Sequence, residues 1–95
     1  MLLMKGTKVS YEWVLEVLDQ HGDIDPHPCT SYAECWEESK DHERFDIVLV
    51  RDMGDEYRGI LDRQWAYVDK DGNFDDGFDR PVPQKFQKEV ARYHS

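Results

Sequence analysis

The sequence predicts a single α+β domain in which a small antiparallel sheet of about three strands carries two helices, in the order β-α-β-β-α. Runs of alternating or continuous apolar residues mark the strands, and two other stretches carry apolar residues at helical spacing. A length of 95 residues corresponds to one domain. An aromatic content of 13% favours a folded core over disorder, because disordered chains are poor in aromatic residues.

The first strand is predicted over residues 9–19, after a flexible leader formed by residues 1–9. Glu12 and Glu16 alternate with apolar residues that face the other side, namely Tyr11, Trp13, Leu15 and Val17. This alternation is typical of a half-buried strand. A helix is the alternative, with Ser10 as its cap and a stripe made of Tyr11, Val14, Leu15 and Leu18. The many aromatic and β-branched residues favour the strand.

Residues 20–30 are predicted to form a loop, because Gly22, Pro26 and Pro28 interrupt a regular structure. A short helix is then predicted over residues 31–41. Ser31 and Glu34 have the spacing of a capping box. The buried side of this helix carries Tyr32, Cys35 and Trp36 at helical spacing. Carboxylates cover its exposed side: Glu34, Glu37, Glu38 and Asp41.

Two further strands and a second helix complete the predicted order. The continuous apolar run of residues 47–50 lies in a strand predicted over 45–51, and the next strand is predicted over 64–69. Residues 69–73 read Asp-Lys-Asp-Gly-Asn, which predicts a turn. An acidic loop follows over residues 73–81. Pro83 suits the first turn of a helix over residues 83–93, whose apolar stripe is Phe86, Val90 and Tyr93.

These patterns together define one predicted core to which all three tryptophans belong. On this interpretation the tryptophans pack inside rather than form a cage for a cationic ligand. The predicted core residues are Trp13, Leu15, Val17, Tyr32, Trp36, Ile47, Leu49, Val50, Trp65, Tyr67, Phe86 and Val90.

The charge is strongly negative and concentrated in the middle of the chain. The formal net charge is −9, and residues 12–79 hold 20 of the 21 carboxylates but six of the 12 Lys and Arg residues. Such a field repels nucleic acid and anionic membranes and favours a protein partner with a basic surface. The simpler interpretation is that it keeps a small bacterial-type domain soluble. With no signal peptide visible and no apolar stretch approaching about 20 residues, we expect a cytoplasmic protein.

The charge pattern leads to a first hypothesis of a non-enzymatic protein-interaction or regulatory module without a cofactor. Its expected contact surface is acidic and consists of Glu12, Glu16, Glu34, Glu37, Glu38 and Asp41. An alternative is a nucleic-acid mimic that inhibits a DNA-handling protein. Residues i and i+2 of a strand lie roughly 6.6 Å apart on one side, so Glu12 and Glu16 could imitate a row of phosphates that the carboxylates of the first helix would extend. No sequence signature of a catalytic nucleophile is present.

A second alternative is a zinc-binding or thiol-dependent domain that uses His27, Cys29, Cys35 and His42. Both residue types are zinc ligands, but their spacings match no familiar zinc pair, so we predict no metal here. Residues 69–80 resemble the first half of a calcium loop, with oxygen ligands at Asp69, Asp71, Asn73 and Asp75. Phe74 and Arg80 occupy the positions where such a loop needs Gly and Glu, so a plain turn is the favoured interpretation.

Overall fold

The computed structural model describes residues 7–55 and 60–95, which form a four-stranded antiparallel sheet and two helices. The elements are β1 (Thr7–Leu18), β2 (Ile24–Cys29), α1 (Tyr32–Ser39), β3 (Phe45–Asp55), β4 (Ile60–Val68) and α2 (Gln84–His94). The strands lie in the order β2-β1-β3-β4. The predicted α+β class, the antiparallel sheet and the two helices are confirmed. Residues 7–9 of the expected leader begin β1, whereas residues 1–6 lie outside the described residues.

The structure has one more strand than predicted, because residues 24–29 form β2 instead of part of a loop. β2 is an edge strand. Pro26 and Pro28 are two positions apart, so their nitrogen atoms point to the same side of the strand. On the outer side of an edge strand, a missing N–H breaks no ladder hydrogen bond. The prediction of three strands was wrong because these prolines exclude a central strand but permit an edge strand.

The register of the sheet decides which side chains share a face. Trp13 of β1 pairs with Leu49 of β3, and Leu49 pairs with Ala66 of β4. These residues lie on the side that the helices cover, because a buried cluster joins Trp13 and Leu49 to residues of both helices. The members of that cluster are Trp13, Leu15, Cys29, Tyr32, Cys35, Ile47, Leu49, Val68 and Val90. The predicted face of β1 is therefore the face that the structure buries.

Seven residues of the predicted core are buried. Six lie in the cluster beneath the helices, namely Trp13, Leu15, Tyr32, Ile47, Leu49 and Val90, whereas Val50 lies in a separate cluster on the opposite face of the sheet. Val17, Trp36 and Phe86 are half-buried at the margin of the cluster beneath the helices. Trp65 and Tyr67 were wrongly assigned to it, since they are 41% and 37% exposed. The predicted alternation in β4 is present, but the buried side of the strand is the opposite one. The smaller Ala66 and Val68 face the helices.

Glu89 of α2 links three elements, β1, α1 and α2, through two hydrogen bonds. Its Oε1 accepts a hydrogen bond from Trp13 Nε1 at 3.2 Å, and its Oε2 accepts one from the backbone N–H of Tyr32 at 2.9 Å. Tyr32 is the first residue of α1, whose N-terminal N–H groups have no partner within the helix. Ser31 caps the same helix end, since its Oγ accepts a hydrogen bond from Glu34 N at 3.1 Å. One carboxylate thus fixes α2 against both β1 and α1.

Two turns of the chain have the same construction, at residues 19–23 and 69–73. In each, the first aspartate donates its N–H to the carbonyl four positions later at 3.0 Å. Its carboxylate accepts the N–H groups two and four positions later at 2.8–2.9 Å. The fourth residue has positive φ, 84° at Gly22 and 89° at Gly72, a conformation that glycine adopts without steric cost. The turn predicted at 69–73 is present.

Residues 74–79, which we call the edge segment, run along the outer side of β4. Phe74 forms a bridge with Val68, and Asp75 accepts the N–H of Tyr67 on its carboxylate and donates its own N–H to the carbonyl of Tyr67, both at 3.0 Å. Asp79 N donates to Gln64 Oε1 at 3.3 Å. The edge segment therefore occupies hydrogen-bonding groups that a sheet edge otherwise leaves open.

Candidate functional site: the open face of the sheet

The face of the sheet opposite the helices is the most distinctive surface in the described part of the chain. Val14, Val48 and Val50 form a separate buried cluster there that contains no helix residue. We call this surface the open face. The side chains that the register places on it are Ser10, Glu12, Val14, Glu16, Leu18, Ile24, Pro26, Pro28, Asp46, Val48, Val50, Asp52, Arg63, Trp65 and Tyr67.

An apolar stripe crosses the centre of the open face. It consists of Val14, Val48, Val50, Trp65 and Tyr67, which the register places in two adjacent rows across β1, β3 and β4. The three valines are 6% exposed or less, whereas the two aromatic residues are more than a third exposed. Exposed Trp and Tyr side chains on a rigid strand are typical of protein-binding surfaces, where both residue types are enriched.

Tyr67 is held across the sheet by a hydrogen bond to Glu16. Its hydroxyl donates to Glu16 Oε1 at 2.9 Å, and since Glu16 lies on β1, the Tyr67 side chain must cross β3 to reach it. Glu16 is 9% exposed. Burial, together with the bond to Glu16, raises the pKa of Tyr67 to about 12. The phenol is a neutral donor at physiological pH, and its hydrogen bond to Glu16 positions the ring over the sheet.

Trp65 is positioned by Arg63, its neighbour on the same face. The guanidinium carbon of Arg63 lies 5.8 Å from the Trp65 ring centroid, which is cation–π geometry. Arg63 Nε also donates to Asp52 Oδ1 on β3 at 2.6 Å. The pairing between Arg63 and Asp52 limits the freedom of the guanidinium, and through it that of the exposed indole.

Carboxylates flank the apolar stripe. Glu12 lies in the row of Val50 and Trp65, and Asp46 lies beside Glu16 in the row beyond Val48 and Tyr67. Glu12 and Asp46 are both exposed. Among the side chains of this face that the structure describes, the charged groups are Glu12, Glu16, Asp46 and Asp52 against Arg63, so the described part of the face carries a net negative charge.

The carboxylates of α1 lie on the other side of the sheet. Glu34 accepts hydrogen bonds from Thr30 N and Oγ1 at 3.1 and 2.8 Å, and Glu37 pairs with Lys40 Nζ at 3.2 Å. A Glu38 oxygen lies 4.0 Å from His27 Nδ1, and Asp41 is exposed just beyond the helix. The six predicted acidic residues therefore belong to two surfaces, with Glu12 and Glu16 on the open face and the other four on the helix side.

The four zinc or thiol candidates do not converge on one point. Cys29 and Cys35 are buried free thiols in the core, whereas the rings of His27 and His42 meet at the surface with centroids 5.5 Å apart. Burial raises the pKa of Cys29 and, more strongly, that of Cys35. Thiolates, the nucleophilic form, are thus disfavoured. Within residues 7–55 and 60–95, no group of three or more His, Cys, Asp or Glu side chains is arranged to hold a metal ion.

In the calcium-like segment, the carboxylate oxygens of Asp69 and Asp75 accept hydrogen bonds from backbone N–H groups. One Asp69 oxygen accepts two N–H groups of its own turn, and Asp75 Oδ1 accepts the N–H groups of Tyr67 and Gly77 at 3.0 Å each. The hydrogen bonds from its own turn lower the pKa of Asp69. This geometry is that of a hydrogen-bonded turn and a sheet edge, as the favoured interpretation of the sequence expects.

Comparisons with protein-family models, curated proteins and solved structures found no match. Neither helix in the described part of the chain has the length and apolar character needed to cross a membrane.

Sequence reasoning assigned Glu12 and Glu16 to a contact surface but missed the charged and aromatic residues that share the open face with them: Asp46, Asp52, Arg63, Trp65 and Tyr67. A signal for the β4 members was present, because Arg63, Trp65 and Tyr67 recur with period two. Small residues intervene at positions 66 and 68, and helices pack most closely over small residues. Because large aromatic residues usually lie in a core, the sequence prediction placed Trp65 and Tyr67 on the wrong side of β4.

Proposed function

We propose that this chain is a non-enzymatic protein-interaction module that binds a protein with a basic surface through the open face. The observation that carries the proposal is the pair of exposed, positioned aromatic residues, Trp65 and Tyr67, on a sheet face flanked by the exposed carboxylates Glu12 and Asp46. Aromatic anchors supply most of the binding energy at such surfaces, and surrounding charges select the partner and speed its approach.

The proposal narrows the acidic surface expected from the sequence. Glu34 and Glu37 already have partners that stabilise α1, and they lie on the side of the sheet away from Trp65. We therefore assign the contact to the open face and treat the α1 carboxylates as contributors to overall charge. The buried free thiols of Cys29 and Cys35 suit a reducing compartment, which supports the cytoplasmic location that we propose.

Nucleic-acid mimicry requires a row of accessible carboxylates on the strand. Glu16 accepts the Tyr67 hydroxyl and is mostly buried, which leaves Glu12 as the accessible member of the predicted pair. The geometry therefore favours an aromatic anchor flanked by charge over a phosphate-like row.

Affinity capture with matched variants tests the proposal. The immobilised chain is exposed to extract of its source cell, and captured proteins are compared among the native chain, Trp65→Ala, Glu12→Gln and Glu37→Gln. We expect a specific protein that is lost with Trp65→Ala, reduced with Glu12→Gln and retained with Glu37→Gln. Its capture should also weaken as salt rises, because exposed charges are screened within about 8–10 Å.

Capture that is equal for all four chains, or that falls equally with Glu12→Gln and Glu37→Gln, would contradict a binding site on the open face. Loss of the captured protein on addition of duplex DNA would support the mimic instead.

A further inference from the structure

We infer that the outer edge of β1 over residues 7–12 binds an extended segment of the partner, which adds to the sheet as a further antiparallel strand in line with β2. The inference rests on the proposed function, because it names the form of a partner segment that would lie beside the open face. Three features of β1 support it: its pairing, the direction of its outer backbone groups and the side chains beside them.

β1 is longer than the strand that covers its outer side. It pairs with β3 along residues 7–17 but with β2 only along residues 13–18. The chain leaves the line of β2 after Cys29, because α1 begins at Tyr32. Within residues 7–55 and 60–95, no backbone group pairs with the outer side of residues 7–12. The position that a longer β2 would occupy therefore has no described strand.

Alternate residues of β1 present their backbone N–H and C=O groups to this side. Leu18 N donates to Arg44 O at 3.0 Å, which shows that Leu18 bonds toward β3. Successive residues of an antiparallel strand bond to opposite neighbours, so even-numbered residues of β1 bond to β3 and odd-numbered residues face the other way. Val9 and Tyr11 thus offer outward donors and acceptors. An extended segment is the ligand whose own backbone groups match such a row.

The remaining described edges of the sheet are closed or charged. The two prolines of β2 cannot donate to a further strand. On the outer side of β4, the edge segment occupies the N–H and C=O groups of Tyr67. Beyond the edge segment, β4 carries the exposed charges of Asp62 and Arg63, and charged side chains discourage strand addition. Residues 9–11 of β1 are uncharged and contain no proline.

The side chains along this edge define the segment that fits it. Val9 lies on the side of the sheet where the helices pack, yet it is 47% exposed. Ser10 and Glu12 are exposed on the open face. Directly opposite residues of an antiparallel pair share a face, so an apolar residue of the segment would contact Val9 and a basic residue would lie near Glu12. The expected ligand therefore alternates apolar and basic residues.

Three peptides of one sequence provide the test, without knowledge of the natural partner. The first alternates Val and Lys. The second carries N-methyl groups on its valines, whose N–H groups would face β1, and the third carries them on its lysines, whose N–H groups would point away. Calorimetry at physiological salt measures binding to the full chain. We expect the first and third peptides to bind and the second, which has the same charge, to bind at least about ten-fold more weakly.

Amide hydrogen exchange locates the added strand. Binding of the first peptide should slow exchange at Val9 and Tyr11 about ten-fold or more, because their outward N–H groups gain acceptors. Exchange at Ser10, whose N–H already bonds toward β3, should change by less than about two-fold. A ligand on the open face alone would produce no such difference between neighbouring residues.

Val9→Pro removes an outward donor without breaking the ladder between β1 and β3. It should weaken the first peptide about ten-fold or more, whereas Val9→Thr, which keeps the donor, should weaken it by less than about three-fold. Circular dichroism confirms that each variant is folded. If Val9→Pro does not fold, the methylated peptides and the exchange at Val9, Ser10 and Tyr11 still decide.

Binding that survives methylation of the valines, or exchange that slows equally at Val9 and Ser10, overturns the inference. Self-association of the native chain in sedimentation that Val9→Pro abolishes overturns it in favour of a second copy. If no peptide binds while Trp65-dependent capture from extract persists and is unchanged by Val9→Pro, the added strand is wrong and the proposed function stands. If that capture is also absent, both fail.

Discussion

Glu89 shows, at the scale of a single residue, how one polar group fixes the arrangement of several elements. Its carboxylate bonds to Trp13 Nε1 and to the first N–H of α1. We expect Glu89→Gln to lower the free energy of unfolding by about 1–3 kcal/mol, because an amide has one oxygen for two donors and leaves one of them unsatisfied. Urea unfolding followed by tryptophan fluorescence measures the change.

Glu37→Gln is the control for that measurement, since it removes the same charge from an exposed ion pair with Lys40. Pairs of this kind contribute about 0–1 kcal/mol. A loss as small for Glu89→Gln as for Glu37→Gln would show that the link between α2 and α1 does not stabilise the fold.

Asp79 gives the chain a pH-dependent contact with a buried cation. Arg51 is 4% exposed and its Nη1 lies 2.7 Å from Asp79 Oδ1. The hydrogen bond from Arg51 lowers the pKa of Asp79 in the folded state. A carboxylate with a lowered pKa stabilises the fold above its ordinary pKa, and that contribution is lost as pH falls through the folded value.

We therefore expect Asp79→Asn to lower the melting temperature at neutral pH and to reduce the further drop between about pH 5 and pH 2. Thermal melts of both chains across that range measure the effect. Parallel curves for the native chain and Asp79→Asn would show that the Arg51–Asp79 contact makes no contribution to acid sensitivity.

At the scale of elements, Gly77 determines whether the edge segment can lie against β4. A Cβ atom built at Gly77 would lie 1.6 Å from the carbonyl oxygen of Trp65, a backbone atom that cannot rotate away. Gly77→Ala should therefore displace residues 74–79 and cost about 1–3 kcal/mol or more. Hydrogen exchange of β4 amides, together with urea unfolding, would report the loss of the edge contacts.

Gly22→Ala is the matched comparison, because a Cβ at Gly22 meets nothing within 4 Å and the cost there comes from its φ of 84° alone. We expect about 1–2 kcal/mol at Gly22 with no change in exchange at β4. If Gly77→Ala leaves β4 exchange unchanged as well, the edge segment does not protect that edge.

Much of the element order could be predicted because it rests on local periodicity. The alternation around Trp13 and Leu15 identified β1 and its buried side, and Ser31 marked the start of α1. β2 could not be predicted from residues 24–29 alone, since Pro26 and Pro28 allow a strand at the edge of a sheet but not in its centre. That position depends on the pairing with β1, which is a tertiary property.

Only part of the open face could be predicted from the sequence, for a related reason. Glu12 and Glu16 were expected to point outward, and they do lie on the face away from the helices. Which side of β4 joins them depends on the register between β3 and β4, which places Trp65 beside Val50 and Tyr67 beside Val48. Periodicity shows that Trp65 and Ala66 lie on opposite sides but not which side the helices cover.

The whole molecule is a sheet with both helices on one side and an acidic, aromatic surface on the other. Because the α1 carboxylates and the open face lie on opposite sides of the sheet, net charge alone would attract a basic protein to either surface. We propose that the aromatic pair makes the open face the specific surface, since Trp65 and Tyr67 offer apolar area that the exposed side of α1 lacks. We therefore expect a basic partner to bind the open face and not α1.

Amide chemical-shift mapping tests that claim most directly. The labelled chain is titrated with a basic peptide composed of Leu and Lys, and the shifts are compared between the two sides of the sheet. Binding at the open face predicts that the largest changes cluster at residues 12–16, 46–50 and 63–67 and include the Trp65 indole N–H. Changes that centre on α1, or that spread evenly over every exposed carboxylate, would contradict it.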